Sequence, residues 1–222
     1  MKTYTSLESI SDGKIYDIND LVNVDTENCN RCSACCHNIG EMVELTPFDI
    51  HEMVKSLNTN FDQLFDDKIE LVTNNKLALP YLKMHGTSEK CSFLNHNNRC
   101  IIHSARPNIC RLFPLGRLYE DDGFRYVLIV DACFKEDLKP ITVKEWINID
   151  NYSENKIFIF EWYKLLKALT FRLKFVYDEK ELQAINEYLI NTFYRMPLKK
   201  DQDFYTAFKE RLPEAKNRLN IL

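Results

Sequence analysis

Four cysteines within eight residues, Cys29-x-x-Cys32-x-x-Cys35-Cys36, constrain this chain more than any other feature. Two-residue gaps let successive thiolates wrap around one metal ion or one corner of a cluster, as the Cys-x-x-Cys-x-x-Cys run of bacterial ferredoxins does. A Cys-x-x-Cys knuckle suits tetrahedral zinc equally well. Zinc knuckles usually contribute two ligands per turn, so a third cysteine at the same spacing tilts the reading towards iron–sulfur. Cys36 is expected to serve a different centre from Cys35, because neighbouring side chains diverge along an extended or turning backbone. The blander alternative is a patch of reduced thiols or a disulfide relay.

Compartment decides how the cysteines are read. Eight of them in a small secreted domain would suggest four disulfides, whereas in the cytosol they suggest metal ligation or catalysis. The first 28 residues spread Lys2, Glu8, Asp12, Lys14, Asp17, Asp20 and Asp25 too evenly for a signal peptide. The longest apolar runs, Val127 to Val130 and Ile157 to Phe160, are far short of the roughly 20 residues that span a bilayer. A cytoplasmic protein with no membrane partner is therefore expected. With 14 Phe and 11 Tyr the chain can build a core without help from crosslinks. A net charge of -4 offers no general attraction to phosphate backbones, so nucleic acid is a poor partner and metal ions are the implied ones.

The pattern divides the chain into a polar lead-in over 1–28, a cysteine-bearing domain over 29–140 and a helical region over 141–222. The fold class is α+β: a loop-rich cysteine core with short helices and a β-hairpin, followed by an α-helical C-terminal appendage. Thr46-Pro47-Phe48-Asp49 reads as a helix start, with Thr46 the N-cap, Pro47 at the first helical position and Asp49 closing a capping box. Ile50, Met53, Val54 and Leu57 supply the apolar stripe of that helix. A second short helix is expected over Phe61 to Leu71. Asn95 to Asn98 is a turn cluster, which puts Cys91 and Cys100 at the two ends of one loop. Arg117 to Glu120 and Phe124 to Val130 read as a hairpin about Asp121-Asp122-Gly123. Near-symmetric strands would bring Cys110 and Cys133 together at its open end. Beyond residue 140, Phe158, Trp162, Leu165, Leu166, Leu169, Leu173 and Val176 recur at helical steps. Asp178 opens a further helix with Leu182, Ile185, Leu189 and Phe193, stopping near Pro197, and Phe204, Phe208 and Leu212 mark the last one. These stripes are core, not a cofactor box.

A second constellation follows the first: Cys91-Ser-Phe-Leu, then Cys100, then Arg106-Pro-Asn-Ile-Cys110-Arg111-Leu-Phe-Pro, and later Cys133. Together with the Cys-x-x-Cys-x-x-Cys-Cys run, these segments resemble the CxxCxxCC cysteine-cluster family of zinc- or iron-chelating proteins, in the family's order, over about residues 25 to 135. Longer members are related to flagellin lysine N-methylases. The resemblance implies metal chelation by Cys29, Cys32, Cys35, Cys36, Cys91, Cys100 and Cys110; Cys133 joins them from the hairpin argument.

Eight thiolates exceed what one zinc ion or one four-iron cluster takes, so two four-thiolate sites are the simplest division, and one cluster beside spare thiols is the alternative. The cofactor is an iron–sulfur cluster of the four-iron type, or zinc. His37 and His103 stand near the cysteines, but such histidines are more often hydrogen-bonding neighbours than ligands. Among Arg99, Arg106, Arg111 and Arg117, the pair Arg106 and Arg111 is placed to bond cofactor sulfur, and an equally simple role is to fix loops through backbone carbonyls. Catalytic residues are not legible. The five glycines are isolated, and no phosphate-binding loop, serine elbow or His-Glu-x-x-His appears. The reading is a metal-binding protein serving redox, sensing or structural purposes. The alternatives are a methylase-related enzyme acting on a protein or small molecule, and metal storage or delivery.

Overall fold

Elements appear where apolar positions recur and where a cap or turn residue permits a boundary. The computed structural model describes residues 7–25, 32–65, 67–133, 138–196, 198 and 202–221. Cys29, Asp66, Pro197 and part of the lead-in lie outside the described residues. In chain order the elements are α1 (Leu7–Ile10), β1 (Leu21–Asp25), α2 (Pro47–Leu57), α3 (Phe61–Leu64), β2 (Ile69–Asn74), β3 (Leu77–Leu82), β4 (Met84–His85), β5 (Lys90–Cys91), α4 (Asn108–Leu112), β6 (Leu115–Glu120), β7 (Gly123–Leu128), β8 (Lys139–Thr142), α5 (Val143–Ile147), α6 (Tyr152–Leu173), α7 (Glu179–Leu189) and α8 (Phe204–Arg218). Among the described residues the strands form four two-stranded antiparallel pairs, β1 with β8, β2 with β3, β4 with β5 and β6 with β7. The architecture is mixed α+β with a helical C-terminal region.

The α2 start has the expected chemistry. Thr46 is in the extended region, its side chain accepts from the Asp49 backbone, and the Asp49 carboxylate accepts from Thr46 N at 2.8 Å. Its stripe is also as read, with Ile50 and Met53 fully buried and Val54 and Leu57 packed beside them. The helix expected over Phe61 to Leu71 is corrected. Only Phe61–Leu64 is helical, and Ile69 to Asn74 is a strand paired residue for residue with Leu77 to Leu82. Ile, Val and Thr favour a strand here, and Asn75 and Lys76 turn it back with φ of 51° and 69°. The second hairpin runs in the expected place, from Leu115↔Leu128 to Glu120↔Gly123 around Asp121-Asp122.

The helical region is not laid on a finished surface. Phe158, Trp162, Leu165, Leu169 and Leu173 of α6 belong to the same buried cluster as Leu45, Ile50, Met53 and Phe93. Phe48 stacks on Tyr205 at 5.4 Å and meets Phe204 edge-on at 5.3 Å. Polar groups are shared as well. The Asn186 side chain accepts from Ala78 N at 2.8 Å and donates to Lys76 O at 3.1 Å, capping an otherwise open hairpin. The buried Tyr194 hydroxyl donates to Leu45 O at 3.0 Å. Such bonds satisfy backbone groups that burial would leave unpaired.

Candidate metal centre

Three segments carry Cys35, Cys36, Cys91, Cys100 and Cys110 towards one place. The first is a single turn of 3-10 helix, Ala34–Cys36, entered through Ser33 in the left-handed region at φ 57°. The second is the loop that joins Cys91 on β5 to Cys100. Asn95 closes it, its backbone N donating to Arg99 O at 2.9 Å and its side chain accepting from the backbones of Asn97 and Arg99. Leu94 then bridges Cys100, and Ile101 N bonds the carbonyl of the fully buried Phe93. The third is α4, which carries Cys110.

Asp49 ties this third segment to the fold. Buried at 2% exposure, its Oδ1 accepts from Asn108 N at 2.7 Å and from Asn108 Nδ2 at 2.9 Å, while its other oxygen caps α2. One carboxylate thus starts two helices, fixing where Cys110 sits. Burial holds its pKa above the ordinary carboxylate value, and the bonds from Thr46 and Asn108 oppose that shift. Sequence reasoning took Asp49 for a local cap only; nothing in the chain announces the partner 59 residues on.

Cys35, Cys36, Cys91, Cys100 and Cys110 are electrostatic neighbours. Burial raises the pKa of Cys91, Cys100 and Cys110, and the neighbouring sulfurs raise them further. The Cys35 and Cys36 thiols do not diverge. Cys36 donates to Cys35, which lowers Cys35 to about 7 and raises Cys36. A short 3-10 turn explains this, since it curls successive side chains round its tight axis instead of alternating them as a strand would. Cys32 is half-buried and Cys35 exposed, so the loop stands at the surface of the group.

The arginines separate into two kinds. The charge of Arg106 adds to the lowering of Cys35 by Cys36 and opposes the rise that burial gives Cys100; its Nε is buried without an acceptor, and its Nη1 lies 2.8 Å from the His103 ring. A buried guanidinium donor left open beside sulfurs suits an anionic thiolate centre. Arg111 instead donates to the carbonyls of Arg106 at 3.1 Å, Asn148 at 3.2 Å and Ser104, which pins the loop. His37 is engaged with Ser33 O at 3.0 Å through Nδ1. Arg117 faces elsewhere, over the Phe124 ring.

Cys133 stands apart from the geometry expected for it. The β6–β7 ladder ends at Leu115↔Leu128, Cys110 is on a helix, and Val130 N bonds Ile10 O, so strand pairing does not carry Cys133 to Cys110. Among the described residues, no three His, Cys, Asp or Glu side chains are already arranged to hold a metal ion. The donor set nevertheless fits one: crowded thiols whose ionisation is opposed by burial and by each other are those that a cation relieves.

Neighbouring thiols gathered from separate loops around an arginine are a donor set of the kind that metal-thiolate proteins use. Residues 28–133 match the model of the CxxCxxCC family, described as a putative zinc- or iron-chelating domain. Over those residues the chain is similar to that family. No curated protein and no solved structure matches the chain.

Proposed function

We propose that Cys29, Cys32, Cys35, Cys36, Cys91, Cys100, Cys110 and Cys133 hold one or two metal centres, with an iron–sulfur cluster preferred over zinc. The observation that supports this best is the neighbourhood of Cys35, Cys36, Cys91, Cys100 and Cys110 beside the open donor of Arg106. Cluster over zinc rests on the ferredoxin-like spacing of Cys29, Cys32 and Cys35. A bound cluster would supply electron transfer, and either occupant would crosslink the three segments.

The chain's own contributions follow from its residues. Cys35, held low by its neighbour's proton, is offered as thiolate more readily than Cys36. Arg106 offsets the surplus negative charge that four thiolates bring. Arg111 and Asp49 hold the loop and helix in place, so that the sulfurs need not be ordered by the metal alone. The test is purification without oxygen, followed by iron, zinc and acid-labile sulfide analysis and a visible spectrum. Iron with sulfide and a coloured protein is the expected result. Stoichiometric zinc in a colourless protein would overturn the cluster and leave the ligand assignment standing.

A further inference from the structure

Behind the cysteine helix lies a cleft of about 1110 Å³, enclosed by the β2–β3 hairpin, the segment around Glu44, β6 and α6. Its floor includes Asn108 and Ile109, next to Cys110 in the chain. Much of the wall is hydrocarbon and ring, with Leu79, Ile159 and Trp162 joined by Tyr119, which stacks on Tyr163 at 3.8 Å. A partly apolar cavity with a few placed polar groups is the usual form of a small-molecule site.

Two half-buried charged side chains in this wall, Glu44 and Arg117, form no ion pair among the described residues. Glu44 receives the Tyr81 hydroxyl at 3.0 Å, and the groups that perturb it are burial, Tyr81 and Asp49, with no cation. Arg117 lies with its guanidinium carbon 5.3 Å from the Phe124 ring, and its Nε is buried without an acceptor. Burial raises the pKa of the Tyr119 phenol, Arg117 opposes this by its charge and a side-chain hydrogen bond, and Glu44 adds to it, yet Arg117 and Glu44 form no ion pair with each other. The lysines nearby differ in being exposed: Lys164 pairs with Glu161, and Lys167 and Lys174 lie over the rings of Tyr163 and Phe171 at the solvent side.

A half-buried acid and a half-buried guanidinium that do not neutralise one another match a ligand bearing both charges. We propose that this cleft binds a zwitterionic amphiphile, a free amino acid or short peptide with an aromatic or branched aliphatic side chain. The carboxylate goes to Arg117, the ammonium to Glu44, and the side chain against Trp162 and Leu79.

Trp162 is one of two tryptophans, so its emission reports directly on the cleft. The full chain is titrated with phenylalanine and with the dipeptide of leucine and phenylalanine, alongside 3-phenylpropionate and 2-phenylethylamine, by fluorescence and calorimetry. Expected is saturable binding of at least one zwitterion, with each single-charge analogue about tenfold weaker or more. Arg117→Gln and Glu44→Gln, checked for unchanged circular dichroism, should each weaken the zwitterion by a similar factor. Absence of saturation by both zwitterions through the millimolar range, or equal binding of a single-charge analogue, overturns the proposal. Neither readout requires metal, so failure here leaves the cysteine reading untouched.

Discussion

Asp49 Oδ1 receives both the backbone N–H of Asn108 at 2.7 Å and its side-chain amide at 2.9 Å, joining the cap of α2 to the first residue of the helix that carries Cys110. Removing that acceptor orphans buried donors, which costs the desolvation of each. Asp49→Ala should therefore destabilise the protein by about 3–5 kcal/mol in denaturant unfolding and lower metal content in the surviving fraction. Asp49→Asn keeps an acceptor for Asn108 and should cost less.

Arg106 and Arg111 should respond oppositely. Arg106→Gln removes positive charge and an open donor beside Cys35 and Cys100. Resistance of the bound metal to a chelator should fall about tenfold, the scale of one charge-assisted hydrogen bond, with little change in melting. Arg111→Gln breaks bonds to three carbonyls. It should lower the melting temperature while leaving the spectrum of the folded fraction unchanged.

Cys36→Ser and Cys110→Ser should damage the same centre, because Cys110 and Cys35 both lie within electrostatic reach of Cys36. Equal loss of metal and the same spectral change are expected from both variants, measured on soluble protein. Distinct spectral changes would mean that the two sulfurs serve separate centres.

A chain ending at Pro140 loses Phe158, Trp162, Tyr194 and Phe204 from the shared core. It should aggregate when expressed alone, through the apolar surface left around Phe48 and Leu45. Co-expression of residues 141–222 should restore solubility, scored by size-exclusion chromatography. Soluble, metal-loaded 1–140 would establish a separable cysteine domain.

Glu44 carries a sign that can be checked. Burial raises its folded-state pKa, so over the interval between the unfolded and folded values the unfolded chain gives up this proton first. The unfolded state then binds fewer protons, and stability falls as pH rises through that interval. Glu44→Gln, still able to accept from Tyr81, should remove the fall and be more stable than the parent at neutral pH. Denaturant midpoints from acid to neutral pH measure it.

Local chemistry was legible in the sequence wherever its cause is local. The Thr46 to Asp49 box, the turn at Asp121-Asp122 and the stripes of α6, α7 and α8 each depend on residues within a few positions of one another. The clustering of cysteines likewise pointed to metal chelation, which the match of residues 28–133 to a zinc- or iron-chelating domain model supports. The β2–β3 hairpin was missed, since Phe61 to Leu71 has apolar residues that fit either period and only pairing with Leu77 to Leu82 decides between them. Tertiary structure alone brought Cys35, Cys36, Cys91, Cys100 and Cys110 together, set Arg106 within electrostatic reach of Cys35 and Cys100 and Arg111 against loop carbonyls, and joined Asp49 to Asn108. Residues of the C-terminal helices and of the cysteine-bearing part also share one buried cluster. The physical reason is common to all of these. Caps and turns are fixed by short-range sterics and hydrogen bonds, whereas burial, ion pairing and shared cores depend on which distant surfaces meet, and a linear pattern does not record that meeting.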